Sequence, residues 1–153
     1  MQIIVGMDRF DEWFPEMEWH YKRLVEKHND DIMAIRKEMP KSSIAIHCLP
    51  PQARKMLGTK AGPIFFSADG LAKQLFEHPE LAASEYQSVL SKLDQCKEIY
   101  QSKDLHVVLI LHNRRWYQVV VKTTSDRHEA FLVSLHRLNK DSLAFARKAK
   151  RIY

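Results

Sequence analysis

The sequence predicts an α+β fold in which N-terminal helices pack on a C-terminal antiparallel β-meander of about four strands, with a closing helix. Three observations lead to that class. The last third alternates apolar and polar residues over three consecutive stretches, Leu105–His112, Trp116–Thr124 and His128–Arg137. The first forty residues instead carry apolar side chains at steps of three and four. The order of segments, helices first and strands after, is that of helices covering one side of a twisted antiparallel sheet.

Met1–Val5 reads either as a short strand or as a disordered start. Phe10, Trp13, Phe14, Met17, Tyr21, Leu24, Val25, His28, Ile32 and Ile35 form one helical stripe reaching to about Lys37. Pro15 suits a first helical turn better than an interior, and Glu16 and Glu18 follow it, so the spacing predicts a short helix ending near Phe14 and a longer one after it. The aromatic stripe reads as packing surface before it reads as a ligand site, and a partner interface is the alternative. Pro40–Ser43 breaks the pattern, Ile44–His47 is a short strand, and Gln52–Leu57 a short helix. After a Gly58–Gly62 loop, Pro63–Phe66 reads as a buried strand and Ser67 as the N-cap of a helix to Glu77. His78 precedes Pro79 and is pushed out of helical geometry; a further helix is expected from Pro79 to Gln95. Glu98–Gln101 adds an edge strand before the meander, and Asn139-Lys140-Asp141 opens the last helix, ending in Arg147, Lys148, Lys150 and Arg151.

With 153 residues, 45% apolar and 28% charged, the chain is expected to be a globular domain with a proper core. We divide it into a helical arm, residues 1–41, and a domain, residues 42–153, with one compact unit as the alternative. No apolar run approaches a membrane span and Met1–Arg9 is not a signal peptide, so a cytoplasmic protein without membrane partners is expected. Cys48 and Cys96 have no CxxC partner and are expected to be free thiols. The charge of +5 is uneven: from Lys103 onward there are eleven Lys/Arg against four Asp/Glu, a local +7, leaving −2 for the remainder. Basic charge concentrated on the meander favours a polyanionic ligand, although many basic surfaces are only solvated.

Along the meander, odd positions are apolar, namely Leu105, Val107, Leu109, Leu111, Tyr117, Val119, Val121, Phe131, Val133 and Leu135. Even positions hold His106, His112, Trp116, Gln118, Lys122, Ser134 and His136, which alternation places together on the other face. Turn positions set His112 opposite Trp116, His106 opposite Lys122, Thr124 opposite His128, Ser134 opposite Gln118 and His136 opposite Trp116. Such a face is rich in imidazole and amine and poor in carboxylate. It suits RNA cleavage without a metal or other cofactor, in which the substrate's 2′-hydroxyl attacks phosphorus. Histidine serves as base and acid, a cation steadies the phosphorane, and a tryptophan stacks on an unpaired base. Against that, a histidine on a sheet surface is ordinarily just solvated, and Trp116 following a turn suits an edge cap. A histidine zinc site lacks the expected spacing and carboxylate partner.

Two stretches resemble a known family. The first is Ile64-Phe65-Phe66-Ser67-Ala68-Asp69-Gly70-Leu71-Ala72-Lys73, with His78-Pro79-Glu80-Leu81 and Tyr86. The second is Trp116 to Thr124 with Phe131-Leu132-Val133-Ser134-Leu135-His136-Arg137. Together, over about Ile44 to Arg151, they resemble the phage-associated members of the barnase–EndoU–colicin–RelE-like (BECR) nuclease superfamily. The resemblance implies helices packed on a four-stranded antiparallel sheet and a metal-independent endoribonuclease of phage or prophage origin, in some cases a toxin. By position it implies catalytic roles for His78, Lys122, Ser134 and His136, and substrate binding by Lys73, His106, Trp116, Gln118 and Arg137. RNA is then the substrate, an antitoxin or immunity protein a partner, and the N-terminal helices a route to self-association. Family members often carry threonine where this chain has Asp69-Gly70-Leu71. The competing functions are a nucleic-acid-binding module without catalysis and a phage structural or host-interaction protein.

Overall fold

The computed structural model describes residues 2–46, 49–58, 62–102, 105–124 and 129–153. Strand β1 (Ile3–Gly6) leads through a short 3-10 turn (Met7–Arg9) into helices α1 (Phe10–His28) and α2 (Ile32–Glu38). Then come β2 (Ser42–Ile46), α3 (Pro51–Leu57), β3 (Ile64–Ser67), α4 (Ala68–Glu77) and α5 (Ala83–Leu90). The chain ends with β4 (Glu98–Gln101), β5 (His106–Asn113), β6 (Arg115–Thr123), β7 (Ala130–Leu138), α6 (Lys140–Ala146) and β8 (Lys150–Arg151). The fold is mixed α+β.

The meander is present, with β4, β5, β6 and β7 antiparallel in sequence order. It is half of a larger sheet. Among the described residues the sheet has eight strands in the order β1-β2-β3-β7-β6-β5-β4-β8, rather than the four expected. β1 runs parallel to β2, and β3 parallel to β7, so the sheet is mixed. The strand expected at Glu98–Gln101 is flanked by β8 and is not the edge. His47, which the sequence reading added to β2, lies outside the described residues.

Helix boundaries differ where local signals lost to packing. α1 passes through Pro15 without breaking. Phe10, Trp13, Phe14 and Met17 are all buried around that proline. Burying each contributes about 1.5–3 kcal/mol, against roughly 3 kcal/mol for an interior proline. The helical stripe expected to continue to Lys37 is interrupted after His28, where Asn29 takes a positive φ of 55° and Asp31 caps α2 by accepting from the Ala34 N–H at 3.2 Å. The helix expected from Pro79 to Gln95 is shorter at both ends: α5 is followed by a separate 3-10 turn, Leu93–Gln95. The last helix stops at Ala146 and the basic tail returns to the sheet as β8.

One face of the sheet carries the main core. Leu109, Val119, Val121 and Leu135 meet α1, α4 and α5 through Phe14, Leu71, Tyr86 and Leu90. Among the described residues the opposite face is open at one end and covered by α6 at the other, where Leu143 packs with Tyr100, Val108, Ile110 and Leu138. The run Val107–Leu111 is therefore buried on both sides. That explains why its even members, Val108 and Ile110, are apolar.

Candidate functional site

The register brings the polar side chains to one face. His106 lies opposite Lys122 and His112 opposite Trp116, as expected. On the other side of β6 the expected pairs are off by two. Gln118 faces His136, Val120 faces Ser134, and Trp116 faces Leu138. Half of this offset is already present where the strands begin to pair, Thr123 facing Ala130, and a bulge between Val120 and Val121 adds the other position; Val133 is the extra residue on β7. It also reverses the phase of β7 beyond it. Phe131, expected in the core, lies opposite Lys122 on the open face with its ring 6.0 Å from Phe65, and Leu132 takes the core position. The expected pairing of Thr124 with His128 lies outside the described residues. Trp116, Gln118, Lys122, Ser134 and His136 thus share one side of the sheet.

They form two groups rather than one. The first lines a cleft of about 790 Å³, with Lys73, His106 and Lys122 on its walls together with Arg36, Asp69 and Phe131. Lys122 is exposed and makes no ion pair with a described residue. Lys73 donates from Nζ to the Val133 carbonyl at 3.4 Å. Arg36 is held by Asp69 at 2.9 Å. Burial raises the Asp69 pKa, but hydrogen bonds from Ser67 and Arg36 outweigh it and keep the carboxyl below its ordinary value. Leu105, at the cleft margin, has a φ of 65°, a strained conformation for a leucine.

The second group is a histidine pair. The His78 and His136 rings stack at 5.4 Å between centroids with 17° between planes. His78 Nδ1 lies 3.5 Å from a Glu80 carboxylate oxygen. Burial, and then the neighbouring His78, push the His136 pKa below the ordinary histidine value of 6.5, only partly opposed by Glu80. This environment favours the uncharged form of the His136 imidazole. Lys122 stands four residues along β6 from Gln118, the partner of His136, which places it roughly 13 Å away along the sheet.

Two of the remaining candidates, Arg137 and Trp116, are engaged elsewhere. Arg137 forms an ion pair with Glu85 and donates to the Glu80 carbonyl at 3.2 Å. Trp116 has two neighbours: the His112 ring lies 4.8 Å away and tilted by 60°, and the Arg147 guanidinium sits 5.3 Å from its centroid. Gln118 and Ser134 are half-buried on the open face, beside His136 and Val120 respectively. Among the described residues no group of three or more His, Cys, Asp or Glu is placed to hold a metal ion, and no helix is long and apolar enough to cross a membrane. Cys96 is a free, buried thiol whose pKa burial pushes up to about 11, while Cys48 lies outside the described residues.

Two contributors escaped the sequence reading. Arg36 reaches the cleft from α2, about thirty positions before the first strand that borders it, and no local pattern signals such a contact. Gln74 is fully buried; its amide donates to the Leu135 carbonyl at 2.6 Å and to the Tyr86 hydroxyl at 3.2 Å, and accepts from the Leu135 N–H at 3.1 Å. β3 pairs with β7 only at Ala130 and Phe131, and Gln74 stands in for a strand where that pairing has stopped. A lone polar residue on the apolar side of a predicted helix was the available signal. Comparison with known protein families, with curated proteins and with solved structures finds no match for this chain.

Proposed function

We propose that the chain is a metal-independent endoribonuclease acting on single-stranded RNA across the open face of its sheet. The observation that carries this is the half-buried His136 imidazole, stacked on a second histidine, on the same face as the exposed, basic Lys122. In this reading His136 takes the proton of a 2′-hydroxyl, the 2′-oxygen bonds to phosphorus, and the bond to the 5′-oxygen breaks as His78 supplies a proton to it. The stacked rings part to admit the phosphate, because the entering and leaving oxygens lie on opposite sides of phosphorus. Lys122, roughly 13 Å along the strand, holds a neighbouring phosphate rather than the reacting one. Ser134 orients the substrate between them. The finer likeness to a barnase–EndoU–colicin–RelE-like domain belongs to the same proposal, as do a phage or prophage setting, a toxin role with a dedicated inhibitor, and a cytoplasmic location. What supports them is the four-strand meander with α1, α4 and α5 on its core side and the ordered motifs along it.

The test is incubation of the purified chain with tRNA and mRNA in EDTA, beside His136→Ala and Lys122→Ala. Cleavage is expected to fall by about 10²–10⁴-fold in His136→Ala, and less in Lys122→Ala. Equal cleavage by all three proteins would remove both residues from the chemistry. The separation of Lys122 from the histidine pair favours one second reading, a binding module on the same face. It predicts salt-sensitive RNA binding with no scission.

A further inference from the structure

The cleft beneath Lys122 does not end at the sheet. A second cavity of about 330 Å³ adjoins it. Gln2, Arg36, Ser67 and Asp69 line both, so the two are compartments of one groove. The groove leaves the sheet face, crosses the start of α4, and continues over the end of α2 to the loop before β2. Each compartment offers cations with an apolar wall. The first has Lys73 and Lys122 beside Phe131 and Leu105. The second has Lys37 and Lys41 beside Met33 and Pro40, and Met33 is 65% exposed. Arg36 at the junction is neutralised by Asp69. Lys37 and Lys41 are exposed and, like Lys122, have no ion pair with a described residue. Among the described residues, cations without an ion pair therefore stand on both sides of a neutral junction. A compact anion needs one such cluster. A strand with a charge at every unit and a flat apolar group between charges matches both compartments at once.

We propose that this groove is a multi-nucleotide track for single-stranded RNA, with Lys37 and Lys41 binding phosphates outside the reactive position. The proposal rests on the ribonuclease reading for its ligand and extends it: α2 and the loop after it become part of the substrate site. The first forty residues then have a role in substrate affinity, which the motif resemblance did not reach.

The experiment measures binding of fluorescent oligouridylates to the full chain by anisotropy at several salt concentrations, with a trinucleotide and a dodecanucleotide as probes. The wild type should bind the longer probe more tightly. Lys37→Ala combined with Lys41→Ala should weaken the dodecanucleotide about tenfold and lower its salt slope by about 1.4, the value for two single-strand phosphates, while leaving the trinucleotide unchanged. Lys122→Ala should weaken both probes. Lys22→Ala with Lys92→Ala, an equal loss of charge away from the groove, should change neither. A dodecanucleotide unaffected by the Lys37 and Lys41 changes, or weakened no more than by the Lys22 and Lys92 changes, overturns the track. Polyglutamate competing as well as RNA also overturns it. Length-dependent binding without scission sinks the nuclease reading and leaves the track standing. Scission without length dependence does the reverse, and absence of binding to either probe removes both.

Discussion

His136 is the residue whose environment matters most. Its folded pKa lies below the unfolded value of 6.5, so the unfolded chain takes up the proton first. The resulting contribution to stability is complete above pH 6.5 and is lost as pH falls through the lower folded value. Denaturant titrations across that window should show wild-type stability dropping on acidification and His136→Asn dropping less. If His136 is the base, the acid limb of kcat/KM should have its midpoint below 6.5 and disappear in the same variant. Gln74 is the second residue that decides the site, because it fixes the strand bearing His136. Gln74→Ala would leave the Leu135 N–H and carbonyl unpaired in the core. That should cost about 3 kcal/mol and lower Tm by roughly 6–12 °C in a thermal melt. The sequence showed that Lys122, Ser134 and His136 would share a face, since alternation needs only local information. It could not show the role of Gln74, which depends on where β3 stops pairing.

The decisive features at the level of elements are a bulge, a clamp and a tether. The bulge at Val133 moves Ser134 and His136 by one position relative to β6 and turns Phe131 outward into the cleft. Nothing in the apolar pattern announces it, because Phe131, Leu132 and Val133 are all apolar and either phase satisfies the sequence. The clamp holds α6 on the open face: Arg147 grips the buried Glu98 through Nε at 3.0 Å and an outer nitrogen at 2.7 Å while lying over Trp116. Arg147→Ala should loosen α6 and remove the ion pair of the buried Glu98 carboxylate; faster hydrogen exchange in Lys140–Ala146 would show it, and unchanged exchange would contradict it. The tether joins β7 to α5. The Arg137 guanidinium first, and then the Tyr117 hydroxyl, hold the Glu85 carboxyl down at about 2. Its stabilising effect is present above the ordinary value of 4.5 and lost as pH falls toward about 2. Urea midpoints measured through that range should fall steeply for the wild type and less steeply for Glu85→Gln.

The whole molecule places a mixed sheet between a large core on one side and a divided surface on the other. α6 occupies the Trp116 end of that surface, and the Lys122 end remains a cleft. The class of fold was readable because periodicities of two and of three to four are imposed by burial of one face. The extent of the sheet was not, since β1, β2 and β3 span only four or five residues each and β1 has no alternation to mark it. The +7 excess from Lys103 onward falls on the meander and tail, and the groove adds lysines from α2 and the loop that follows it. RNA affinity should therefore fall steeply with salt in the intact chain, with a log–log slope of about −0.7 per phosphate held. End-group analysis of RNA fragments made by the purified chain in EDTA asks most directly whether this surface does chemistry. Fragments ending in 2′,3′-cyclic phosphate and 5′-hydroxyl, absent with His136→Ala, are the expected result. Uncut RNA, or fragments with 3′-hydroxyl ends that persist in His136→Ala, would contradict it.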